Sequence, residues 1–218
     1  MNAPRPHRIA IVDDHPLVRL GISRILAEEP DLELCGEADG AASALSMVRS
    51  ACPDLVIVDL TLADGSGLGL VKQLTASDSS IRVLVSSMHD EAQFAERALR
   101  AGAMGYISKG TAIEHLVTAI RKVLAGSIYL SQPMTDRLLR SITQSDMERG
   151  RATLERLSDR ELEVFELLGR GMTTRDAAEH LHLSVKTVET YRENLKTKLN
   201  LEHSNELICR AAQWVASN

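Results

Sequence analysis

The feature that most constrains the fold is a regular alternation, over the first 130 residues, of short apolar runs and longer helical patterns. Strand-length runs rich in β-branched residues alternate with segments in which apolar residues recur at helical spacing. The apolar runs are 9-IAIV-12, 32-LELC-35, 55-LVIV-58, 81-IRVLV-85 and 104-MGYI-107. The helical patterns cover 16 to 28, 41 to 51, 67 to 76, 90 to 101 and 112 to 125. Five β-then-α units predict an α/β domain at 1 to 130, with a five-stranded, doubly wound parallel sheet.

The character of the chain changes after residue 130. Residues 131 to 152 predict a linker that is partly helical, with a short helix around 134 to 143. Residues 153 to 218 carry no strand pattern, so we expect an all-α domain of four helices there. Ser158, Thr173 or Thr174, and Ser184 are predicted to cap three of these helices. A tight turn at 182 to 184 joins two of them and predicts a helix-turn-helix.

Composition narrows the classes of function. A net charge of -5 excludes a chain that is basic throughout, and an aromatic content of 3% argues against binding of single-stranded nucleic acid by base stacking. The apolar stretches are too short to cross a bilayer, and residues 1 to 8 lack the apolar core of a signal peptide. Three scattered cysteines without a C-x-x-C pattern predict free thiols in a reducing compartment. We therefore expect a cytoplasmic protein.

Polar residues follow four of the predicted strands at the point where each strand ends. Asp13 and Asp14 follow the first strand and Asp59 follows the third. Ser86 and Ser87 follow the fourth strand, where the spacing to His89 and Asp90 favours Ser87, and Lys109 follows the fifth. The carboxyl ends of neighbouring parallel strands meet at one edge of a sheet, so these side chains are predicted to converge. Three carboxylates in one pocket suit a hard divalent cation such as Mg²⁺.

Two nearby patterns have competing interpretations. His15 is either a metal ligand or an ordinary exposed histidine at a helix start. The stretch 65-GSGLG-69 lacks the third glycine of the dinucleotide fingerprint, so a turn that gives the chain room near Asp59 is favoured over nucleotide binding.

The pattern as a whole resembles a known family. Asp13 with Asp14, the acid at 59, S-M-H-D at 87 to 90 and A-G-A-M-G-Y-I-S-K-G at 101 to 110 resemble the CheY-like receiver domain of two-component response regulators. Residues 154 to 217 resemble the LuxR-type helix-turn-helix, and the two in this order resemble the NarL/FixJ family of transcription factors. The resemblance implies a phosphorylation-switched regulator, not an enzyme. Its implied partners are a sensor histidine kinase, double-stranded DNA and a second copy of the chain on activation, with no membrane partner.

The resemblance also implies roles at the carboxylate cluster. Asp59 would be the phosphoacceptor. Asp13, Asp14 and Asp59 would hold Mg²⁺, and Thr61 would add its backbone carbonyl. A competing class is a metal-dependent phosphohydrolase with Asp59 as nucleophile, but the acid expected two residues later is replaced by Thr61. A third class is a protein-binding module without DNA contacts.

Further roles follow from the resemblance at the other strand ends. Ser87 would hydrogen-bond a phosphoryl oxygen and Lys109 would pair with its charge. Tyr106 would turn inward when Ser87 moves. Ala63 stands where the family usually has proline, and the missing ring predicts a more mobile loop after the phosphoacceptor.

The recognition helix of the helix-turn-helix is predicted at 184 to 199. Its buried stripe is predicted to be Val185, Val188, Leu195 and Leu199. Lys198 is an expected donor to phosphates. The residues predicted to contact phosphates or base edges are Lys186, Thr187, Glu189, Thr190, Tyr191, Arg192, Glu193 and Lys196.

Two questions stay open in this half of the chain. Glu189 either accepts a hydrogen bond from cytosine N4 or pairs on the helix surface with Arg192 or Lys186. The last helix is either a dimer surface or part of the core, and its apolar residues are Leu207, Ile208, Ala211 and Trp214.

Overall fold

The computed structural model describes residues 5–111, 113–143 and 157–216. The chain divides into two compact units, Met1–Asp136 and Arg137–Asn218. Of the predicted linker, residues 144 to 152 lie outside the described residues, as does residue 112 at the start of the fifth predicted helix. None of the helices in the described ranges combines the length and the apolar character needed to cross a membrane.

The N-terminal unit alternates strands and helices as the sequence predicts. Its strands are β1 (His7–Val12), β2 (Leu32–Ala38), β3 (Leu55–Val58), β4 (Thr61–Leu62), β5 (Gly65–Ser66), β6 (Arg82–Ser87) and β7 (Gly105–Ser108). Its helices are α1 (Pro16–Ala27), α2 (Ala41–Ala51), α3 (Gly67–Ser77), α4 (Glu91–Arg100) and α5 (Ile113–Leu124). A further helix, α6 (Gln132–Thr143), follows at the junction of the two units.

Five of these strands form one parallel sheet in the order β2-β1-β3-β6-β7. The central strands are apolar throughout because helices cover both faces, and Ile9, Ile57 and Leu84 are fully or almost fully buried. The order changes direction at β1 and β3, so the carboxyl ends of these two strands border the crevice in which open α/β sheets bind ligands. The predicted doubly wound fold is therefore confirmed.

The sequence did not predict the small antiparallel hairpin of β4 and β5, which pairs Thr61 with Ser66 and Leu62 with Gly65. Gly67 follows it and opens α3. A Cβ at Gly67 would lie 2.0 Å from the backbone oxygen of Asp59, so only glycine lets the chain pass this close. The glycine-rich stretch therefore gives the chain room near Asp59, which agrees with the predicted turn.

Residues 157–216 of the C-terminal unit contain four helices, as predicted. They are α7 (Asp159–Gly169), α8 (Thr174–His180), α9 (Val185–Leu199) and α10 (Ser204–Ala216). Ser158 and Thr173 form capping boxes with Glu161 and Asp176, and the side chain of Ser184 caps α9. His182 takes a positive φ of 53° in the turn between α8 and α9.

One prediction for the buried stripe of α9 is wrong. Val188, Leu195 and Leu199 are buried, but Val185 is 43% exposed. Val185 is the first residue of α9 and lies three positions before Val188, on the exposed N-terminal turn where the helix has not yet met the core. In α10, Leu207 and Ala211 are buried and Ile208 is 39% exposed, so the apolar residues of this helix divide between core and surface.

Candidate functional site

A cluster of acidic side chains lies at the carboxyl ends of β1 and β3. One ligand atom from each of Asp13, Asp14, His15 and Asp59 can be chosen so that all lie within 4.8 Å of one another. Asp13 and Asp59 are each only 2% exposed. The structure thus brings together the three carboxylates that the sequence predicted to meet, and His15 stands at the edge of the same cluster.

The His15 imidazole is more than half exposed and faces both neighbouring acids. Its Nδ1 lies 2.6 Å from Asp14 Oδ1 and 3.2 Å from Asp13 Oδ1. The backbone N–H of His15 also donates to Asp13 Oδ1 at 2.9 Å. Hard divalent cations prefer oxygen ligands, so the carboxylates suit such an ion better than the imidazole does.

Lys109 reaches into the cluster from the end of β7. Its Nζ lies 2.6 Å from Asp59 Oδ2 and 2.7 Å from Asp13 Oδ2, and its side chain is 7% exposed. The backbone N–H of Lys109 donates to the carbonyl of Ser87 at 2.9 Å, which continues the pairing of β6 and β7 past the strand ends. One ammonium therefore bridges two buried carboxylates from different strands.

Burial and the neighbouring charges shift the pKa values of Asp59 and Lys109. Burial raises the pKa of Asp59 above its ordinary value, although the Lys109 ammonium acts in the opposite direction. Burial also disfavours a charged Lys109, but the carboxylates of Asp59 and Asp13 outweigh it and hold the pKa of Lys109 above its ordinary value. The cluster contains three carboxylates and one lysine, which pairs with two of them, so the pocket retains a negative charge that a divalent cation can compensate.

Two residues that the sequence analysis did not single out hold the loops of the site. Arg19 on α1 donates from a guanidinium nitrogen to the backbone carbonyl of Asp13 at 2.6 Å. Asp64, in the loop after β3, accepts from the backbone N–H groups of Ala41 and Ala42 at 2.6 and 3.0 Å, and so caps the N-terminus of α2. The backbone amides of Ala42 and Ala41 lower the pKa of Asp64 although partial burial opposes them.

These contacts bear on the predicted effect of Ala63. The missing proline predicts a mobile loop, but the β4–β5 hairpin pairs this loop with itself and the cap made by Asp64 ties it to α2. Whether the loop moves stays a prediction, and any motion works against these contacts.

Ser87, at the end of β6, is fully buried and is connected to Tyr106 by hydrogen bonds through the backbone of His89. Ser87 Oγ accepts from the backbone N–H of His89 at 3.2 Å. The Tyr106 hydroxyl donates to the backbone carbonyl of His89 at 2.8 Å, and the Tyr106 side chain is fully buried. Tyr106 thus occupies the inward position in this structure.

His89 was not assigned a role from the sequence, yet it lies between these residues. Its Nε2 is 3.1 Å from Thr61 Oγ1, and its ring centroid is 4.5 Å from that of Phe94 on α4. Thr61 comes two residues after Asp59, so His89 connects the Asp59 loop with the segment that follows Ser87. A histidine two residues after Ser87 was the sequence signal for this connection, and its burial is visible only in the structure.

The recognition helix α9 exposes a polar face in the C-terminal unit. Lys186, Glu189, Thr190 and Glu193 line a shallow hollow of about 540 Å³ on this face. Arg192 donates from its guanidinium to Thr174 Oγ1 on α8, so part of its hydrogen-bonding capacity is used within the unit. Thr187 and Tyr191 are partly buried.

Lys198, an expected donor to phosphates, forms an ion pair within the C-terminal unit, and its contact with DNA stays a prediction. Its Nζ lies 2.6 Å from Glu161 Oε2, and the same carboxylate oxygen accepts from the backbone N–H of Ser158 at 2.7 Å. Burial works against the charged Glu161, but Lys198 and Ser158 prevail and lower its pKa below the ordinary value. One carboxylate therefore joins the start of α7 to the end of the recognition helix.

Comparison with protein families gives two matches along the chain. Residues 9–121 match the response regulator receiver domain, and residues 155–211 match the bacterial regulatory proteins of the luxR family. The first match contains Asp13, Asp14, Asp59 and Lys109 of the acidic cluster. The second contains the whole of α9.

Individual proteins with the same arrangement are similar over most of their length. A putative transcriptional regulator of Pseudomonas aeruginosa is 40% identical over 193 residues, which cover 88% of this chain and 91% of the relative. The response regulator GacA of the same species is 33% identical over 206 residues, which cover 94% of this chain and 95% of GacA. RcsB of Salmonella enterica serovar Typhimurium, solved bound to promoter rprA in the presence of the phosphomimetic BeF3-, shares the fold with a TM-score of 0.63 at 24% identity, over 95% of this chain and 99% of RcsB. The chain therefore belongs to the two-component response regulators of the NarL/FixJ type, in which a receiver domain precedes a luxR-type DNA-binding domain.

Proposed function

We propose that Asp59 accepts a phosphoryl group from a sensor histidine kinase in the cytoplasm and that this event controls DNA binding by the C-terminal unit. The observation that carries the proposal is the ammonium of Lys109 between Asp59 and Asp13, within 2.6 and 2.7 Å of their carboxylates. This arrangement prepares a buried carboxylate for an incoming group that carries negative charge. An Asp59 oxygen forms a bond to phosphorus as the bond between phosphorus and the kinase histidine nitrogen breaks.

The carboxylates of Asp13, Asp14 and Asp59 fit Mg²⁺, and Thr61 would add its backbone carbonyl. A hard divalent cation prefers oxygen ligands, which the carboxylates supply. It also compensates the negative charge that Lys109 leaves unpaired. When bound, the ion neutralises charge on the phosphoryl oxygens, which is the main requirement of phosphoryl transfer.

After transfer, Lys109 exchanges a carboxylate partner for a phosphoryl oxygen, which carries more charge. The hydroxyl of Ser87 already accepts from His89 and still has its own proton to donate to a phosphoryl oxygen. His89 carries both the N–H bonded to Ser87 and the carbonyl bonded to Tyr106. We propose that a shift of Ser87 reaches Tyr106 through this one residue and changes the surface of the receiver.

In the C-terminal unit we propose that α9 enters the major groove of double-stranded DNA. The polar residues on α9 that carry this proposal are Lys186, Thr187, Glu189, Thr190, Tyr191, Arg192, Glu193 and Lys196. RcsB, which shares the fold of this chain, has been solved bound to a promoter. The exposed face of α9 mixes basic and acidic groups, so a single unit has few phosphate contacts, and we propose that the activated chain binds as a homodimer.

The phosphoacceptor is tested by incubating the full chain with labelled acetyl phosphate and Mg²⁺. We expect label on the wild type and on Asp78→Ala, which removes an exposed acid outside the cluster, and none on Asp59→Ala. Equal labelling of Asp59→Ala and the wild type would refute the assignment.

DNA binding is tested by titrating the phosphorylated chain against double-stranded DNA at several salt concentrations. The affinity is expected to fall as the salt concentration rises. Lys186→Ala is expected to reduce the slope of log affinity against log salt concentration by about one, because one phosphate contact is lost. Lys72→Ala, which removes an exposed lysine from α3 in the receiver, serves as the control. A wild type without salt-dependent affinity for DNA would end this half of the proposal.

A further inference from the structure

The two glutamates on the exposed face of α9 are in different situations. Glu193 Oε2 lies 2.8 Å from Lys196 Nζ, so an ion pair compensates its charge. Glu189 is exposed and forms no ion pair or side-chain hydrogen bond with any other residue that the structure describes.

Neither of the two basic residues predicted as surface partners of Glu189, Arg192 and Lys186, forms an ion pair with it among the described residues. Arg192 donates to Thr174 on α8. Lys186, three residues before Glu189, forms no ion pair within the described residues, although its spacing allows one. The surface-pair interpretation of Glu189 therefore receives no support from the structure.

An uncompensated carboxylate on a DNA-facing helix has a narrow choice of partners. It is repelled by phosphates, so it must find hydrogen-bond donors on the base edges to offset the loss of water. In the major groove these donors are the N4 amino group of cytosine and the N6 amino group of adenine. Adenine carries the N7 acceptor beside its amino group, and this acceptor repels a carboxylate. Cytosine presents its donor without a neighbouring acceptor on the same base.

From this asymmetry we infer that Glu189 is a specificity-determining residue that accepts a hydrogen bond from the N4 amino group of a cytosine in each half-site. The inference rests on the proposed DNA binding and adds the base that this position of α9 selects. Glu189 stands at the hollow formed with Lys186, Thr190 and Glu193, where a base edge can approach. The Thr190 hydroxyl donates to the backbone carbonyl of Lys186 at 3.0 Å, and Glu193 is held by Lys196. Of the two carboxylates on this face, Glu189 is thus the one with no partner among the residues that the structure describes.

The test uses the full chain with acetyl phosphate and Mg²⁺, and a library of double-stranded DNA with a randomised central segment. Selected DNA is sequenced for the wild type, Glu189→Ala, Glu189→Gln and the control Glu202→Gln. The control removes one exposed acid beyond the end of α9 and leaves the helix unchanged. We expect the wild type and the control to prefer cytosine at one position of each half-site by about tenfold.

The substitutions are expected to act on that one position. Glu189→Ala should lose the cytosine preference there and keep the other preferences, because the donor loses its acceptor. Glu189→Gln should shift the preference toward adenine, since a glutamine amide makes paired hydrogen bonds with adenine N6 and N7.

The outcomes separate this inference from the proposed function. DNA binding with the same base preferences in the wild type, Glu189→Ala and Glu189→Gln would overturn the role of Glu189 and leave the proposed DNA binding standing. A wild-type chain that selects no DNA would overturn both. A loss of preference in Glu202→Gln equal to that in Glu189→Ala would mean that net charge, not a base contact, sets the preference, and would also overturn the inference.

Discussion

Lys109 Nζ lies 2.6 Å from Asp59 Oδ2, although the two residues are 50 positions apart in the chain. The pair exists because β3 and β7 end at the same edge of the sheet, on either side of β6. Both side chains are buried, so their interaction is only weakly screened by solvent and salt. The site is therefore sensitive to the loss of either charge.

Replacement of Lys109 by methionine is predicted to destabilise the N-terminal unit. The substitution keeps the length of the side chain but leaves two buried carboxylates without their cation. Loss of one partner from a buried pair costs about 3 kcal/mol of unfolding free energy. Urea unfolding followed by circular dichroism measures the change, and Lys72→Met on the exposed surface of α3 is the control. Equal midpoints for the two variants would contradict the prediction.

Magnesium is predicted to stabilise the N-terminal unit through the acidic cluster. At a free concentration ten times the dissociation constant, a ligand that binds only the folded state adds about 1.4 kcal/mol. The measurement compares urea unfolding of the full chain with Mg²⁺ and with EDTA. Asp13→Asn should lose most of this increment because it removes a carboxylate from the cluster. An unchanged increment in Asp13→Asn would place the ion elsewhere.

Alanine at Gly67 is predicted to disrupt the loop that follows Asp59. The added Cβ would lie 2.0 Å from the Asp59 carbonyl oxygen and 2.5 Å from Leu60 Cα, and neither backbone atom can move without displacing β3 or the hairpin. We expect a loss of about 3 kcal/mol of unfolding free energy, the upper end for an added methyl group that has no room.

Gly69→Ala provides the matched control for this prediction. It lies on the same helix, and its nearest neighbour, Ser66 Cβ, is at an ordinary contact distance of 3.8 Å. Because alanine favours helix over glycine, this variant should gain up to about 1 kcal/mol. The unfolding temperatures of the two variants test the prediction. A Gly67→Ala protein as stable as Gly69→Ala would show that the loop is not held against Gly67.

The stability of the C-terminal unit is predicted to fall in acid partly through Glu161. The folded state lowers the pKa of Glu161 below its ordinary value of 4.5, since Lys198 and Ser158 favour its charged form more than burial opposes it. The unfolded state therefore binds the proton more readily. Glu161 contributes stability at pH values above about 4.5, and this contribution is lost as the pH falls through the lowered pKa.

Glu161→Gln isolates this effect. Glutamine at this position retains the capping box with Ser158 but removes the negative charge that faces Lys198. Trp214 is the only tryptophan of the chain and packs against Phe165, so its fluorescence follows the unfolding of this unit. The wild type should exceed Glu161→Gln in stability at pH 7, and the difference should shrink below pH 4. A difference that is constant with pH would rule out the titration of Glu161.

The fold class and the acidic cluster at the carboxyl ends of the strands could be predicted from local sequence patterns. The alternation of apolar runs and helical patterns is local and strong, and the parallel sheet that it requires brings strand ends together, so Asp13, Asp14, Asp59 and Lys109 were predicted as one cluster. The caps at Ser158, Thr173 and Ser184 were also readable, because a cap and its helix are neighbours in the chain.

The partners of side chains that are distant in the sequence could not be predicted and are visible only in the folded chain. Asp64 caps α2 from 23 positions away, His89 meets Thr61 across 28, and Lys198 meets Glu161 across 37. Helical spacing placed Val185 with the buried stripe, but the packing of neighbouring helices leaves the first turn of α9 exposed. The same packing commits Arg192 to Thr174 and leaves Glu189 without a partner among the described residues. Periodicity fixes which face a residue occupies, whereas a contact also depends on how far each element extends and what packs against it, which no local pattern encodes.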